Sequence, residues 1–152
     1  MCSGSSKEAK DFLVFPQKLY KNYDEEEIFR LYNSVGWRAY TQNMEALRNG
    51  YKNSLLILAA YEDDELLGVV RVVGDGYTII FIQDLLVFPE RRREGVGTAL
   101  VKEVLKRYPD VRQIELTADD TSEAFAFYKS LGFSKFSEIG CCGFMRCRQL
   151  SV

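Results

Sequence analysis

The sequence predicts an α/β protein with a mixed sheet that helices cover. Apolar, strand-like runs follow one another as a meander in the middle of the chain, which is typical of antiparallel neighbours. Further on, a glycine turn and an amphipathic helix separate two strand-like runs, and such a strand–helix–strand crossover joins parallel strands. Helical segments before and after the meander each carry one apolar face, which a sheet can cover.

The first part of the chain predicts an edge strand and a helix. Phe12–Phe15 is a short apolar run that Pro16 closes, as is typical of an edge strand. Asp24–Ser34 has helical periodicity with acidic residues in its first turn, and Gly36 follows its end. The preceding residues 1–11 are small and polar, so we expect a flexible tail there.

A loop and a second, shorter helix are expected next. Trp37–Tyr40 follows the helix stop and predicts a loop. Thr41 or Asn43 can cap the second helix, because a short polar side chain there accepts hydrogen bonds from the first turn. We expect this helix to run to about Asn49, where Gly50 ends it.

Three strands then form the meander. The pattern predicts them at Ser54–Tyr61, Leu66–Val73 and Tyr77–Val87, with turns at Glu62–Glu65 and Gly74–Gly76. Because the third apolar run is the longest, we expect it to form the longest strand, central in the sheet and buried on both faces. A polar pair, Gln83 and Asp84, interrupts this run.

The third strand ends in a basic turn with two glycines, and a helix over about Gly95–Tyr108 follows. Main-chain N–H groups in such a turn and at a helix N-terminus point at one place, where the helix dipole favours negative charge. Gly95 and Gly97 lack a Cβ, so a ligand can approach the main chain closely. Arg91–Arg93 add positive charge that pairs well with phosphate, and the turn therefore predicts an anion-binding cradle.

The remainder of the chain predicts one more strand, one helix and two short final strands. Val111–Thr117 alternates apolar and polar residues as a strand does, and Asp120–Leu131 has helical character. Phe133–Ser137 and Gly143–Arg148 are the expected final strands. Since no linker interrupts the chain, we expect a single domain over residues 12–152.

Composition excludes several classes of protein. The chain has 20 basic and 22 acidic residues and a formal net charge of −2, which argues against a nucleic-acid partner. It has no histidine, and its four cysteines match no zinc spacing, so we expect no metal. No apolar run approaches the length of a membrane span, so no membrane partner is expected. We expect a cytoplasmic protein whose cysteines are reduced thiols.

Two motifs resemble those of the GCN5-related N-acetyltransferase (GNAT) superfamily. Arg92–Gly97 matches the family's Arg/Gln-x-x-Gly-x-Gly/Ala loop after a strand. Thr121–Phe133 matches its Asn-x-x-Ala-x-x-Phe-Tyr-x-x-x-Gly-Phe segment, with Thr121 where the family often has Asn. The resemblance extends over roughly residues 12–148. It implies the acyl-CoA N-acyltransferase fold, an α/β fold with a mixed, largely antiparallel sheet, a splayed central parallel pair and flanking helices.

The resemblance also implies acetyl-CoA as the acetyl donor. The glycine turn would hold its pyrophosphate through main-chain N–H groups, in agreement with the anion cradle. The family splays two parallel strands at a bulge in the long strand, here near Leu85–Val87, and the main chain there pairs with the pantetheine arm. The implied cofactor-binding residues are Leu85, Leu86, Val87, Arg92, Arg93, Glu94, Gly95, Val96, Gly97, Thr98, Thr121 and Tyr128.

The family's usual reaction is direct attack of an amine on the thioester, without a covalent enzyme intermediate. By resemblance, Tyr128 is the acid that protonates the leaving thiolate, although a helix-face aromatic of the core would look the same in the sequence. Asp84 is the best carboxylate for a base, because a charge in the middle of a strand needs a reason. Capping of loop main chain, or pairing with an arginine such as Arg71, explains Asp84 equally well.

The aromatic pair Trp37 and Tyr40 falls in the loop where the family builds its acceptor pocket. The pair could hold an ammonium by cation–π attraction or an aryl group by stacking, but Trp37 could equally anchor the loop on the sheet. Arg71 and Tyr77 are further candidates for binding the acceptor substrate.

We therefore predict an N-acetyltransferase that moves acetyl from acetyl-CoA to a primary amine, with a small molecule favoured as acceptor. The alternatives are a protein lysine or N-terminal acetyltransferase and a non-catalytic acyl-CoA-binding sensor. A nucleotide-binding protein would use the same cradle, but the chain lacks the Gly-Lys-Ser/Thr of a Walker loop. The edge strand and the late Gly143–Arg148 strand are compatible with a homodimer.

Overall fold

One mixed sheet of five strands organises the computed structural model, which describes residues 15–148. In both chain order and sheet order, its strands are β1 Gln17–Leu19, β2 Leu56–Glu62, β3 Glu65–Gly74, β4 Ile79–Val87 and β5 Gln113–Leu116. The first four strands pair antiparallel, whereas β4 and β5 are parallel. The predicted mixed, largely antiparallel sheet with one parallel pair is confirmed.

Five α-helices accompany the sheet in the described part of the chain. They are α1 Glu25–Ser34, α2 Arg38–Thr41, α3 Met44–Lys52, α4 Val96–Arg107 and α5 Ser122–Ser130. The chain divides after Thr117 into two compact units. The sheet and α1–α4 belong to the first unit, and α5 belongs to the second. The helix α4 connects β4 to β5 and is the predicted crossover. No helix between residues 15 and 148 is both long and apolar enough to cross a bilayer.

The helices α1 and α3 cover one face of the sheet. Each begins at a side-chain cap, since Asp24 accepts from the N–H of Glu27 and Asn43 from the N–H of Ala46. Their apolar faces pack in one cluster with strand residues, whose buried members are Ile28, Leu31, Tyr32, Leu47, Tyr51, Ala59, Leu66, Val69 and Leu86.

Two predictions for the helical region are wrong. Trp37–Tyr40 is not a loop, because Arg38–Thr41 forms the short helix α2. Gly50 does not end α3, which continues past it and buries Tyr51 in the core. A Cβ on Gly50 would lie 3.2 Å from Arg71 Nη1, so the small residue leaves room for that guanidinium. Tertiary packing therefore overrides the glycine stop signal.

The first described strand lies just after the predicted one. The run Phe12–Phe15 falls mostly outside the described residues, and β1 begins after Pro16. Within residues 15–148, β1 pairs with β2 alone and lies at the edge of the sheet, as a first edge strand should.

The strand β4 differs from its prediction in length and in burial. It has 9 residues and β3 has 10, so the prediction that Tyr77–Val87 is the longest strand is wrong. Buried and half-buried residues alternate along β4, so the strand is not buried on both faces throughout.

A β-bulge in β4 explains this pattern. Arg71 of β3 lies opposite Asp84 and its neighbour Val72 lies opposite Ile82, which makes Gln83 an extra residue in β4. Arg71 and Val72 are successive residues of β3, so their side chains point to opposite faces of the sheet. Their partners in β4, Asp84 and Ile82, therefore also point to opposite faces, although only Gln83 separates them. The buried positions of β4 therefore lie on one face before the bulge and on the other face after it.

The two final strands predicted at Phe133–Ser137 and Gly143–Arg148 are wrong for the described part of the chain. Phe136–Ile139 forms a 3₁₀ turn instead, and Gly140 after it has the left-handed φ of 77°. The residues after this turn are exposed and pair with no strand between residues 15 and 148. The cysteines in this segment, Cys141, Cys142 and Cys147, are free and exposed.

Substitution of Gly68 by alanine should destabilise the fold strongly. Gly68 is buried in β3, and a Cβ there would lie 2.4 Å from the main-chain oxygen of Leu86 in β4. Because that oxygen cannot rotate away, we expect the free energy of unfolding to fall by about 3 kcal/mol in urea titrations. Gly143→Ala is the matched control, since no atom lies within 4 Å of a Cβ at that position. Wild-type stability in Gly68→Ala would contradict the close approach of β3 and β4.

Candidate functional site

Asp84 follows the bulge and forms a buried ion pair. Arg71 Nε donates to Asp84 Oδ2 over 2.6 Å, and the hydroxyl of Tyr32 donates to the same oxygen over 2.7 Å. Asp84 is 1% exposed and Arg71 is 7% exposed. The other carboxylate oxygen, Asp84 Oδ1, has no hydrogen-bond partner among residues 15–148. The pairing with Arg71 that the sequence left as an alternative is therefore present, and the second oxygen of Asp84 is buried without a partner in the described part of the chain.

The remaining groups around the ion pair satisfy Arg71 and extend the network. Arg71 Nη1 donates to Ser54 Oγ over 3.3 Å, and its guanidinium lies 5.6 Å from the centre of the Tyr51 ring. The hydroxyls of Tyr51 and Tyr32 are 3.1 Å apart. Burial of two charges is unfavourable unless an ion pair and hydrogen bonds of this kind satisfy them. The network therefore holds β3 and β4 in one register.

Burial sets the protonation of the groups in this network. It raises the pKa of Tyr32 and of Tyr51, and the nearby charge of Asp84 also raises the pKa of Tyr32, so both phenols stay neutral. Burial alone would lower the pKa of Arg71. The charge of Asp84 and the hydrogen bond to it outweigh burial and raise the pKa of Arg71 above its ordinary value, so Arg71 remains a cation.

An aromatic wall, formed by Trp37 and Tyr40, stands beside the ion pair. The two rings stack at a centroid distance of 5.8 Å and an interplanar angle of 25°, and Tyr40 also meets the edge of Tyr32 at 5.3 Å. Gln83 Nε2 donates to the hydroxyl of Tyr40 over 3.0 Å. Burial raises the pKa of Tyr40, and the charge of Asp84 adds to this effect. The bulge thus places Gln83 in contact with Tyr40 of the wall and Asp84 in the ion pair with Arg71.

The structure brings most of the predicted acceptor residues together, with one exception. Trp37, Tyr40, Arg71 and Asp84 meet around the bulge through the contacts given above. Tyr77 is 84% exposed in the turn before β4, where its N–H donates to Asp75 Oδ1.

Sequence reasoning missed the contacts of Gln83 and Tyr32. Tyr32 lies within the predicted helix Asp24–Ser34 and was given no polar role, and Gln83 was expected only as one of the polar pair that interrupts the strand. A polar pair inside an apolar strand run is the signal that could have found the bulge.

The sheet opens beside the second half of β4. β5 pairs with β4 along Ile79–Ile82 only, in the described part of the chain. The main chain after Ile82 therefore has an open side toward the end of β5. The residues implied for the pantetheine arm, Leu85–Val87, lie along this opening, although the bulge itself lies at Gln83, earlier than the resemblance implied.

The anion-binding turn lies between this open strand and α4. The turn contains a 3₁₀ segment, Pro89–Arg91, and two left-handed residues, Arg93 with φ 63° and Gly95 with φ 88°. Gly95 caps α4 without a side chain, whereas Asp24, Asn43 and Thr121 cap α1, α3 and α5 with side-chain oxygens. The first N–H groups of α4 therefore lack a side-chain acceptor. A Cβ at Gly95 would have no atom within 4 Å.

The three arginines of the turn have different surroundings. Arg91 lies 2.7 Å from Glu62 and 2.6 Å from Glu94. Arg92 and Arg93 are exposed and make no ion pair within residues 15–148. Arg92 and Arg93 are thus the arginines of this turn whose charge is available to an anion.

The second predicted motif lies in and around α5. Thr121 Oγ1 accepts from the N–H of Ala124 over 3.2 Å and so caps the helix. The ring of Tyr128 packs edge-on against Phe127 at 4.9 Å and Phe133 at 5.9 Å. Burial raises the pKa of Tyr128, so its hydroxyl keeps its proton at neutral pH.

Residues 20–142 match the family model of the acetyltransferase (GNAT) domain. The chain is similar to SP0256, a GNAT family acetyltransferase of Streptococcus pneumoniae TIGR4, at 32% identity and a TM-score of 0.80, over 90% of this chain and 99% of that one. It is 30% identical over 111 residues to an uncharacterized N-acetyltransferase, ycf52, of Gracilaria tenuistipitata var. liui, which is 70% of this chain and 60% of that protein.

A third relative carries a more specific name. Histone acetyltransferase TAP1 of Glycine max is 32% identical over 114 residues, which is 68% of this chain and 48% of that protein. The chain thus spans about half of this protein and 60% of the ycf52 protein.

Arg71→Met should destabilise the protein, because it leaves the carboxylate of Asp84 buried without its cation. We expect the free energy of unfolding in urea to fall by about 4 kcal/mol. The double variant Arg71→Met/Asp84→Leu should recover most of this loss, since two apolar side chains then replace the pair. A double variant as unstable as Arg71→Met alone would show that the ion pair is not the cause.

Proposed function

Because the chain belongs to the GNAT acetyltransferase family, we propose that it moves an acetyl group from acetyl-CoA to a primary amine in a ternary complex. One observation carries this proposal: an uncapped helix N-terminus with two available arginines directly follows a strand whose main chain is open on one side. A pyrophosphate fits the first feature and an extended pantetheine arm fits the second.

The pyrophosphate would be held at the start of α4. The N–H groups of Val96, Gly97 and Thr98 belong to the first turn of the helix and lack intrahelical acceptors. The helix dipole adds attraction for a negative charge at this end, and Arg92 and Arg93 add full positive charges. Glu94 and Gly95 contribute main-chain N–H groups to the same turn.

The pantetheine arm would lie along β4 as an added strand. Leu85, Leu86 and Val87 follow the point where β5 stops pairing, so their main chain has room for an extended ligand. We extend the cofactor site to Thr121 and Tyr128 on the strength of the second motif. The Thr121 hydroxyl already accepts a hydrogen bond in capping α5, so its bond to the arm would come from its O–H.

A small amine is the acceptor that the aromatic wall supports best. Trp37 and Tyr40 offer ring faces to an alkyl, aryl or ammonium group. The charge of Asp84 is balanced by Arg71, so the wall offers little attraction to a strongly basic peptide. A protein lysine acceptor is the second candidate, favoured by the relative from Glycine max that is named a histone acetyltransferase.

The proposed reaction transfers the acetyl group directly. The neutral amine attacks the thioester carbonyl, a C–N bond forms, and the C–S bond then breaks. Asp84 Oδ1 takes the proton that the ammonium loses before attack, and Tyr128 gives its proton to the leaving thiolate. The second proton, which the attacking nitrogen loses as the amide forms, returns to the Tyr128 phenolate. Free and exposed thiols at Cys141, Cys142 and Cys147 support a cytoplasmic setting for this reaction.

Release of CoA from acetyl-CoA with a panel of amines tests the proposed function. Arylalkylamines, polyamines, aminoglycosides and a lysine-containing histone peptide cover the candidate acceptors. We expect release with at least one small amine and little release with the peptide. Binding of acetyl-CoA by calorimetry, without release for any member of the panel, would favour a non-catalytic acyl-CoA sensor instead.

Tyr128→Phe should lower turnover far more than it weakens cofactor binding. Removal of the proton donor should reduce kcat about 100-fold, while the Kd for acetyl-CoA stays close to that of the wild type. Tyr108→Phe is a control that removes a hydroxyl outside the motif. Unchanged kcat in Tyr128→Phe would remove Tyr128 as the acid.

Asp84→Asn should flatten the pH profile of kcat/KM, because an amide cannot accept the proton. We expect kcat at neutral pH to fall by about 100-fold. A profile of unchanged shape, together with lowered resistance to urea, would show that Asp84 serves only the ion pair with Arg71.

A further inference from the structure

Arg91 ties the anion-binding turn to the hairpin between β2 and β3. Its Nη1 lies 2.7 Å from Glu62 Oε2 at the end of β2, and its Nε lies 2.6 Å from Glu94 Oε2 in the turn. The Arg91 side chain is 17% exposed, less than the cation of every other ion pair within residues 15–148 except Arg71. The Glu62–Arg91–Glu94 bridge is thus a partly buried link between two segments that are distant in sequence.

The bridge joins two turns with unfavourable backbone conformations. Arg93 lies between the bridged residues Arg91 and Glu94 and has φ 63°, although it carries a Cβ. Asp63 and Asp64, the hairpin residues that follow Glu62, have φ 46° and 67°. Such residues keep their conformation only where surrounding contacts hold them. Ion pairs on both sides of the turn are contacts of this kind.

The charge of Arg91 is committed to this bridge. Its hydrogen bonds to Glu62 and Glu94 raise the pKa of Arg91, and the hydrogen bond from Arg91 lowers the pKa of Glu62 below its ordinary value. Arg91 and Glu62 therefore both remain charged at neutral pH. Arg92 and Arg93, which the same basic run places beside Arg91, make no ion pair within residues 15–148.

We propose that Arg91 is a positioning residue, which holds the turn in the conformation that presents Arg92, Arg93 and the first N–H groups of α4 to the cofactor pyrophosphate. This role rests on the proposed function. Arg91 does not itself contact the phosphates. Glu62, which lies at the end of β2 and outside the motif, acts through Arg91.

Glu62→Gln separates positioning from simple electrostatics by the sign of its effect. Glu62 is an anion near a site for an anion, so loss of its charge alone should strengthen cofactor binding. Loss of the bridge should instead let the turn sample other conformations. Cofactor binding should then weaken, because a smaller fraction of the protein has the turn in its binding-competent conformation. We expect the weakening to prevail.

Calorimetric titration with acetyl-CoA at low salt measures this sign. Glu62→Gln should raise the Kd about fivefold and Arg91→Gln, which loses both contacts, about tenfold. The double variant should bind no more weakly than Arg91→Gln, because Glu62 acts only through Arg91. Glu103→Gln is the matched control, since it removes the same charge from an exposed pair with Arg107 on α4.

Hydrogen exchange of the ligand-free protein provides a second measurement that needs no activity. The amides of residues 93–97 should exchange faster in Glu62→Gln than in the wild type and in Glu103→Gln. Equal or tighter binding by Glu62→Gln, with unchanged exchange, would overturn the positioning role alone. Failure of the wild type to bind acetyl-CoA would overturn the proposed function and the role of Arg91 with it.

Discussion

The extra residue Gln83 in β4 is the constraint on which the rest of the site depends. Without it, Asp84 would share the face of Ile82, away from Arg71, and two charges would be buried apart from each other. With it, Asp84 meets Arg71 and Tyr32, and Gln83 meets Tyr40. The ion pair and the bulge therefore require each other, and together they set where the second half of β4 points.

The strand β4 thereby serves two parts of the proposed site at once. Its side chains after the bulge reach the aromatic wall and the ion pair, while its main chain has an open side where β5 stops pairing. The turn that follows leads directly into the uncapped N-terminus of α4. In the proposed site, a single strand would thus carry the donor along its backbone and lie beside the acceptor. The Glu62–Arg91–Glu94 bridge links the turn at the end of this strand to the hairpin between β2 and β3.

Local chemistry in the sequence predicted most of the helices and strands before Leu131, but not α2, the end of the described chain or the contacts between distant residues. Asn43 was one of two caps expected for the second helix, and it caps α3, whereas Asp24 was expected inside the first turn of its helix and caps that helix instead. Gly50 carried a stop signal that the packing of Tyr51 and Arg71 overrides, which no local pattern shows. The bulge, the choice of Arg71 as partner of Asp84, and the link from Arg91 to Glu62 all depend on strand register, which sequence spacing does not determine.

The central claim is that the open side of β4 and the start of α4 hold the cofactor. The most direct test measures backbone amide chemical shifts of the isotope-labelled protein by NMR during titration with acetyl-CoA. The largest changes in amide chemical shift should occur at residues 85–87 and 93–98, whereas the amide shifts of β1 should not change. Saturable changes centred on Lys18 in β1 and on Lys21 after it, with none at residues 85–87 or 93–98, would contradict it.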